Sequence, residues 1–155
     1  MSVLLFVEGE DELSLQAVTL AESLGELRAI RFDGPYAPSA WAKALAAESW
    51  DTLVGPGSDR GNEVLAHVAA QLDLPFAANV TEVRGDVVTR IRWGGTLLEE
   101  ARLHAERKLF TAAPFAFAAG ADPRATVVSP ELGGAVQVVE HVAPDTGGKV
   151  SLADA

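Results

Sequence analysis

The sequence predicts an α/β fold, a three-layer sandwich around a mostly parallel sheet, and three observations predict it. The run Val3-Leu4-Leu5-Phe6-Val7 is apolar without interruption and rich in β-forming residues, as a strand covered on both faces requires. Short β-rich runs then alternate with helical patterns as far as Pro75, the order that builds parallel sheets. After Pro75 the pattern changes to closely spaced β-rich runs, which predicts β-rich additions after residue 80.

Each element follows in turn. Residues 3–7 form the first strand, and Ser14 to Leu24 reads as a helix. Ser14 is placed to cap it, Ala17, Val18, Ala21 and Leu24 repeat at helical spacing, and Gly25 ends it. Leu27 to Phe32 alternates apolar residues with Arg28 and Arg31 and suits a second strand. Asp33 to Pro38 is rich in turn residues, and Ser39 caps a short helix through Glu48. Thr52-Leu53-Val54 is a strand stopped by Gly55-Pro56-Gly57. Asn62 to Leu72 is the clearest helix, with Val64, Leu65, Val68, Ala69 and Leu72 on one stripe and Asp73-Leu74-Pro75 ending it.

Val80 to Val83 and Val87 to Trp93 read as two strands joined by a turn at Arg84-Gly85-Asp86. Thr96 to Leu109 fits a helix through Leu97, Ala101, Ala105 and Leu109, and fits a strand through its alternation of charged and apolar residues. Lys108 to Phe117 reads as a strand that breaks near Pro114. Beyond Ala118 the chain is rich in Gly, Ala and Pro, and only Ala135 to Val142 has a strand pattern. This divides the chain into a domain over 1–117 and a tail over 118–155.

Composition excludes more than it assigns. The chain has 155 residues, enough for one core, with 12 basic and 22 acidic side chains and a net charge of −10. Phosphate backbones and anionic membranes are bound by clustered Lys and Arg, so neither is an expected partner. No cysteine is present, which removes thiol chemistry, disulfides and iron–sulfur ligation. The apolar run at 3–7 is too short for a signal peptide or a membrane span, and the expected location is the cytoplasm.

The segment Gly55-Pro56-Gly57-Ser58-Asp59-Arg60-Gly61-Asn62 is the best candidate site. It joins a strand to a helix at the carboxyl end of the sheet, where free backbone N–H groups favour a phosphate or carboxylate. Gly55, Gly57, Ser58, Asp59, Gly61 and Asn62 are the candidate cofactor-binding residues, though the spacing is neither a Walker motif nor a dinucleotide fingerprint. Capping and turn chemistry account for the same residues without a ligand. Glu8, Glu10, Asp11 and Glu12 lack the spacing of a calcium loop and read as a solvated turn. Glu99 and Glu100, adjacent on a strand, point to opposite faces and do not converge. His67, His104 and His141 are scattered, no nucleophile elbow is present, and no catalytic or metal-binding set is nominated. Trp50 reads as core. Trp93 reads as a packed or interfacial strand end, with stacking on a partner or flavin as the alternative.

Several strings, in order, resemble the amino-terminal domain of the electron transfer flavoprotein alpha subunit. They are Val3-Leu4-Leu5-Phe6-Val7-Glu8 with Glu12-Leu13-Ser14, then Gly61 to Asn79 with its helix and Pro-containing strand start. Arg92-Trp93-Gly94-Gly95-Thr96 follows, and Lys108-Leu109-Phe110-Thr111 with Pro114 and Phe117 completes the set. The resemblance implies an adenine-nucleotide-alpha-hydrolase-like, Rossmann-like fold, and strands rather than a helix over 96–109. It implies a non-catalytic framing domain that pairs with a beta-like subunit or with itself, through the strands after Val80 and the tail strand, with a separate flavin domain as a further partner. No cofactor is expected on this chain. FAD in such complexes belongs to a second alpha-subunit domain, for which 155 residues leave no room. AMP or a second FAD belongs to the beta subunit, at a loop corresponding to 55–62. The alternative is a small AMP-type nucleotide-binding protein that uses that loop. Three departures from the family pattern stand out: Ala113 where arginine is usual, Asn79 where aspartate is usual, and about one strand missing between Phe32 and Thr52.

Overall fold

The structure, a computed structural model, describes residues 1–134, 136 and 138–150. Among these, eight strands and three helices follow one another as β1 (Ser2–Phe6), α1 (Glu12–Leu24), β2 (Glu26–Phe32), α2 (Pro38–Ala47), β3 (Thr52–Pro56) and α3 (Asp59–Leu72). β4 (Phe76–Arg84), β5 (Val87–Arg92), a single 3-10 turn at Trp93–Gly95, β6 (Leu97–Arg102), β7 (Lys108–Ala112) and β8 (Thr126–Val128) complete the order. One sheet contains all eight strands in the order β6-β5-β4-β7-β3-β1-β2-β8. Its pairings from β4 to β8 are parallel, and β4-β5 and β5-β6 are antiparallel. The fold is the predicted α/β sandwich with β-rich additions after residue 80, and 96–109 holds β6 and the start of β7 rather than a helix.

The continuous apolar run at the start is explained by its position. β1 lies between β2 and β3, and alternate residues serve two cores. Val3, Leu5 and Val7 pack with Ala17, Val18 and Ala21 of α1. Leu4 and Phe6 pack with Trp41 and Leu45 of α2 and with Val64, Leu65 and Val68 of α3. On that second face Phe6, Phe32, Tyr36 and Trp41 form an aromatic cluster with ring centroids 5.2–6.0 Å apart. Trp50 is buried, and its indole N–H donates to the Leu45 carbonyl at 2.9 Å.

Three local expectations are corrected. α1 is capped by Asp11, whose carboxylate accepts from the Ser14 backbone N–H at 2.9 Å. Ser14 lies inside the first turn and is buried, and its hydroxyl donates to the Asp11 carboxylate at 2.7 Å, so it supports the cap made by the earlier residue. α2 starts at Pro38 after Ala37, because proline suits the first helical turn, where no N–H partner is needed. β3 does not stop at Val54: Gly55 and Pro56 continue it, paired with Thr111 and Ala112 of β7.

The tail is more integrated than its composition suggests. The Thr19 hydroxyl donates to the Ala118 carbonyl at 2.6 Å, and the Gly120 N–H donates to the Leu15 carbonyl at 2.8 Å. A Cβ on Gly120 would press on Val18, so only glycine lets the tail lie this close to α1. Ala125 then joins the α1-side core, β8 pairs with β2, and Leu132 reaches the α2 side. The tail is thus a strap around the β2 edge, with β8 paired in parallel alongside β2. The strand expected at 135–142 is not found: Ala135 and Gln137 lie outside the described residues, and Val136 and 138–142 belong to no strand. Among the described residues, the strand of the tail is Thr126–Val128.

The amino terminus is tied down by Asp51. Its carboxylate accepts from the Ser2 backbone N–H at 2.8 Å and from the Ser2 hydroxyl at 2.9 Å, and these bonds hold its pKa below the usual carboxylate range. A depressed carboxylate contributes stability above its unfolded pKa and loses it as pH falls through the folded value. Asp51→Asn should therefore reduce stability near neutrality and flatten the acid side of the profile below about pH 4, as read by urea titrations across pH.

Candidate functional site

β3 delivers the chain to the carboxyl edge of the sheet, and α3 begins three residues later. Ser58 caps α3, its hydroxyl oxygen accepting from the Gly61 N–H at 3.0 Å, while the Ser58 carbonyl accepts from the Asn62 N–H at 2.9 Å. The same hydroxyl donates to the Glu8 carboxylate, just beyond β1. Glu8 is held in turn through its backbone N–H, which donates to the Ser14 hydroxyl at 3.0 Å. One serine therefore joins the start of α3 to the end of β1.

The glycines of this loop are explained by packing. A Cβ on Gly57 would overlap the Ala112 carbonyl oxygen, and one on Gly61 would overlap the Pro56 carbonyl oxygen. One on Gly55 would press into Leu65. Asn62 faces inward: its side-chain oxygen accepts from the Thr111 hydroxyl at 2.6 Å, and Thr111 Oγ1 accepts from the Asn79 N–H at 2.8 Å. Of the six candidate residues, Gly57, Asp59 and Asn62 line a cleft, while Gly55 is buried in β3 and Gly61 in α3.

That cleft encloses about 590 Å³ between α3, β4 and β5. Its far wall is Arg90, Ile91, Arg92, Trp93 and the two glycines after it. Glu99 of β6 pairs with Arg90 and with Arg92, each at 2.7 Å, and these bonds hold its pKa below the usual carboxylate range. Asn79 adopts φ +57°, in the left-handed region that asparagine tolerates, and the β4–β7 register shifts between Ala77 and Val80 around it. Its Oδ1 is buried and finds no partner among the described residues. Trp93 is 77% exposed at φ +54°, so it is not a packed strand end.

A family model described as the electron transfer flavoprotein domain matches residues 31–146. The chain belongs to the electron transfer flavoprotein domain family. No curated protein matches it significantly. The match runs from β2 through the strap and includes the whole cleft. Where the usual family pattern has arginine, Ala113 is fully buried and its N–H donates to the Val80 carbonyl at 2.9 Å, so nothing from that position reaches the cleft.

The nucleotide groups associated with such domains can be tested against these residues. A phosphate at the loop would need the Ser58 hydroxyl and the free N–H groups of α3. That hydroxyl is already donated to Glu8, and a carboxylate of the chain stands where the phosphate charge would lie. The loop does not fit a phosphate in this arrangement. Sequence reasoning missed Glu8, which it placed in a solvated acidic turn, and the cleft residues Asn79, Arg90 and Arg92. Glu8 and Ser58 each follow a parallel strand closely, but only the β1–β3 adjacency makes them neighbours.

The glycine and cap assignments yield a stability comparison. Ser58→Ala should cost about 1 kcal/mol, a typical capping loss. Gly57→Val should cost at least as much, on the scale of overpacking against backbone, about 1–3 kcal/mol. Urea unfolding of the two variants checks both values.

Proposed function

We propose that this electron transfer flavoprotein domain is an alpha-subunit-like framing module with no catalysis of its own. In this reading it works in the cytoplasm and docks on a beta-like subunit, while the flavin is carried elsewhere in the complex. The observation that carries the reading is the antiparallel arm formed by β4, β5 and β6. Trp93 is 77% and Leu98 68% exposed at its tip, and Leu97 is exposed on the opposite face of β6. Large exposed apolar side chains grouped on a strand edge mark an interaction surface. Residues 76–102 contain four acidic and four basic side chains, so the net charge of −10 lies entirely outside the arm. The arm is the part of an acidic molecule that a partner approaches without meeting net charge.

The alternative reading, a small AMP-type nucleotide-binding protein, is favoured by the 590 Å³ cleft with its two arginines and the ring of Trp93 at its wall. Both arginines are engaged by Glu99, and the loop beside them is closed to phosphate, so the framing role is the better supported.

The test is association. The chain should form a complex with a beta-type electron transfer flavoprotein subunit from the same source, measured by light scattering after gel filtration. Trp93→Ser and Leu98→Glu should each weaken it by at least about tenfold in Kd, the scale of an interface hot spot. Neither should lower Tm, since both side chains are mostly exposed. Complex formation unaffected by both changes would remove the arm from the interface.

A further inference from the structure

The loop's failure to fit a phosphate has a specific cause in the chain itself. β1 runs through α1 on one face of the sheet to β2, and β3 runs through α3 on the other face towards β4. The carboxyl ends of β1 and β3, paired side by side, are therefore a topological switch point, the crevice where open α/β sheets receive ligands. Here the crevice contains Glu8 from the β1 side and Ser58 from the β3 side, already hydrogen-bonded to each other.

We infer that Glu8 is a specificity-determining residue that excludes anions, its carboxylate taking the place of a ligand phosphate at the start of α3. Three features hold it there. Its backbone N–H is fixed by Ser14, whose hydroxyl donates to Asp11 at 2.7 Å, so α1's own cap sets its position. Its side-chain oxygen accepts from the Ser58 hydroxyl. Its negative charge lies next to the positive end of α3, where an anion is stabilised. An incoming phosphate would have to displace a tethered group, and it would meet that group's charge at contact distance. The neighbouring Asp59 and Glu63 on α3 add to the repulsion, and Arg60, stacked over Tyr36 with its guanidinium carbon 4.4 Å from the ring centroid, offsets part of it. The inference goes beyond the framing role and does not depend on it.

The experiment is a titration of the full chain and of Glu8→Ala and Glu8→Gln with inorganic phosphate and with AMP, followed by amide chemical shifts and calorimetry. In the unaltered chain the amides of Ser58 to Gly61 should not respond at millimolar phosphate. In both variants they should move and saturate, with affinity raised at least about tenfold. Glu8→Gln keeps an acceptor for Ser58 and removes the charge, so it decides the matter if Glu8→Ala fails to fold. Phosphate binding by the unaltered chain at these amides, as tight as in the variants, would overturn the inference. So would a folded variant whose loop amides ignore phosphate. AMP shifts confined to Arg90, Arg92 and Trp93 in the unaltered chain would support the nucleotide-binding alternative and leave the exclusion at Ser58 standing.

Discussion

The pairing of β1 with β3 is the constraint on which the rest of the structure depends. Val3, Leu4 and Leu5 are in register with Thr52, Leu53 and Val54, and all six residues are buried. Because β1 lies between β2 and β3, each residue from Val3 to Val7 serves one of two apolar cores, which is why that run contains no polar residue. The same register sets the strand ends side by side, so the residues immediately beyond them meet. Glu8 and Ser58 are neighbours as a consequence of core packing fifty positions apart in sequence. Hydrophobic burial of this extent supplies most of the stability, and the polar link at the edge is positioned by it rather than the reverse.

The arm has different energetics from this body. Its ion pairs, Arg84–Glu100 and Arg102–Asp86 among them, are exposed, and such pairs contribute little to stability. Arg90 and Glu99, directly opposite each other on β5 and β6, are the pair placed to support strand register. Val88 anchors the arm by burying completely in the α1-side core with Val80 and Ala101 beside it. The arm is thus rooted at one end and presents Trp93, Leu97 and Leu98 at the other, where their exposure has no structural benefit to the chain.

Elements with a strong period were legible from sequence. α3 shows its stripe at Val64, Leu65 and Val68, all of which are fully buried, and β1, β2 and the β4–β5 turn fall within a residue or two of their expected places. What was not legible depends on tertiary neighbours. The span 96–109 has a helical composition and becomes strand because β5 offers it a free edge, so the family resemblance pointed to strands there where composition did not. The order Thr126-Val127-Val128 is too short to signal a strand, and it forms one because β2 would otherwise leave an open edge. Within the candidate site, the loop's location at a strand-to-helix junction was readable. The partner of Ser58, the bulge at Asn79 and the wall supplied by β5 were not, since each needs the strand order.

The loop also shows how a ligand-like sequence persists without ligand chemistry. Gly57 and Gly61 look like residues that admit a phosphate, yet each is required because a carbonyl oxygen occupies the space of a side chain. Ser58 looks like a phosphate donor, yet its two hydrogen bonds are spent on its own helix and on Glu8. Asn62 looks like a cap, yet its side chain is committed to Thr111. Tight junctions between a parallel strand and a helix need glycine for close approach and a small polar residue to satisfy the first N–H groups, whether or not an anion binds. The feature that separates a binding loop from a closed one is therefore the charge that faces it. In this electron transfer flavoprotein domain that charge is the negative one of Glu8, and the cradle is filled from within.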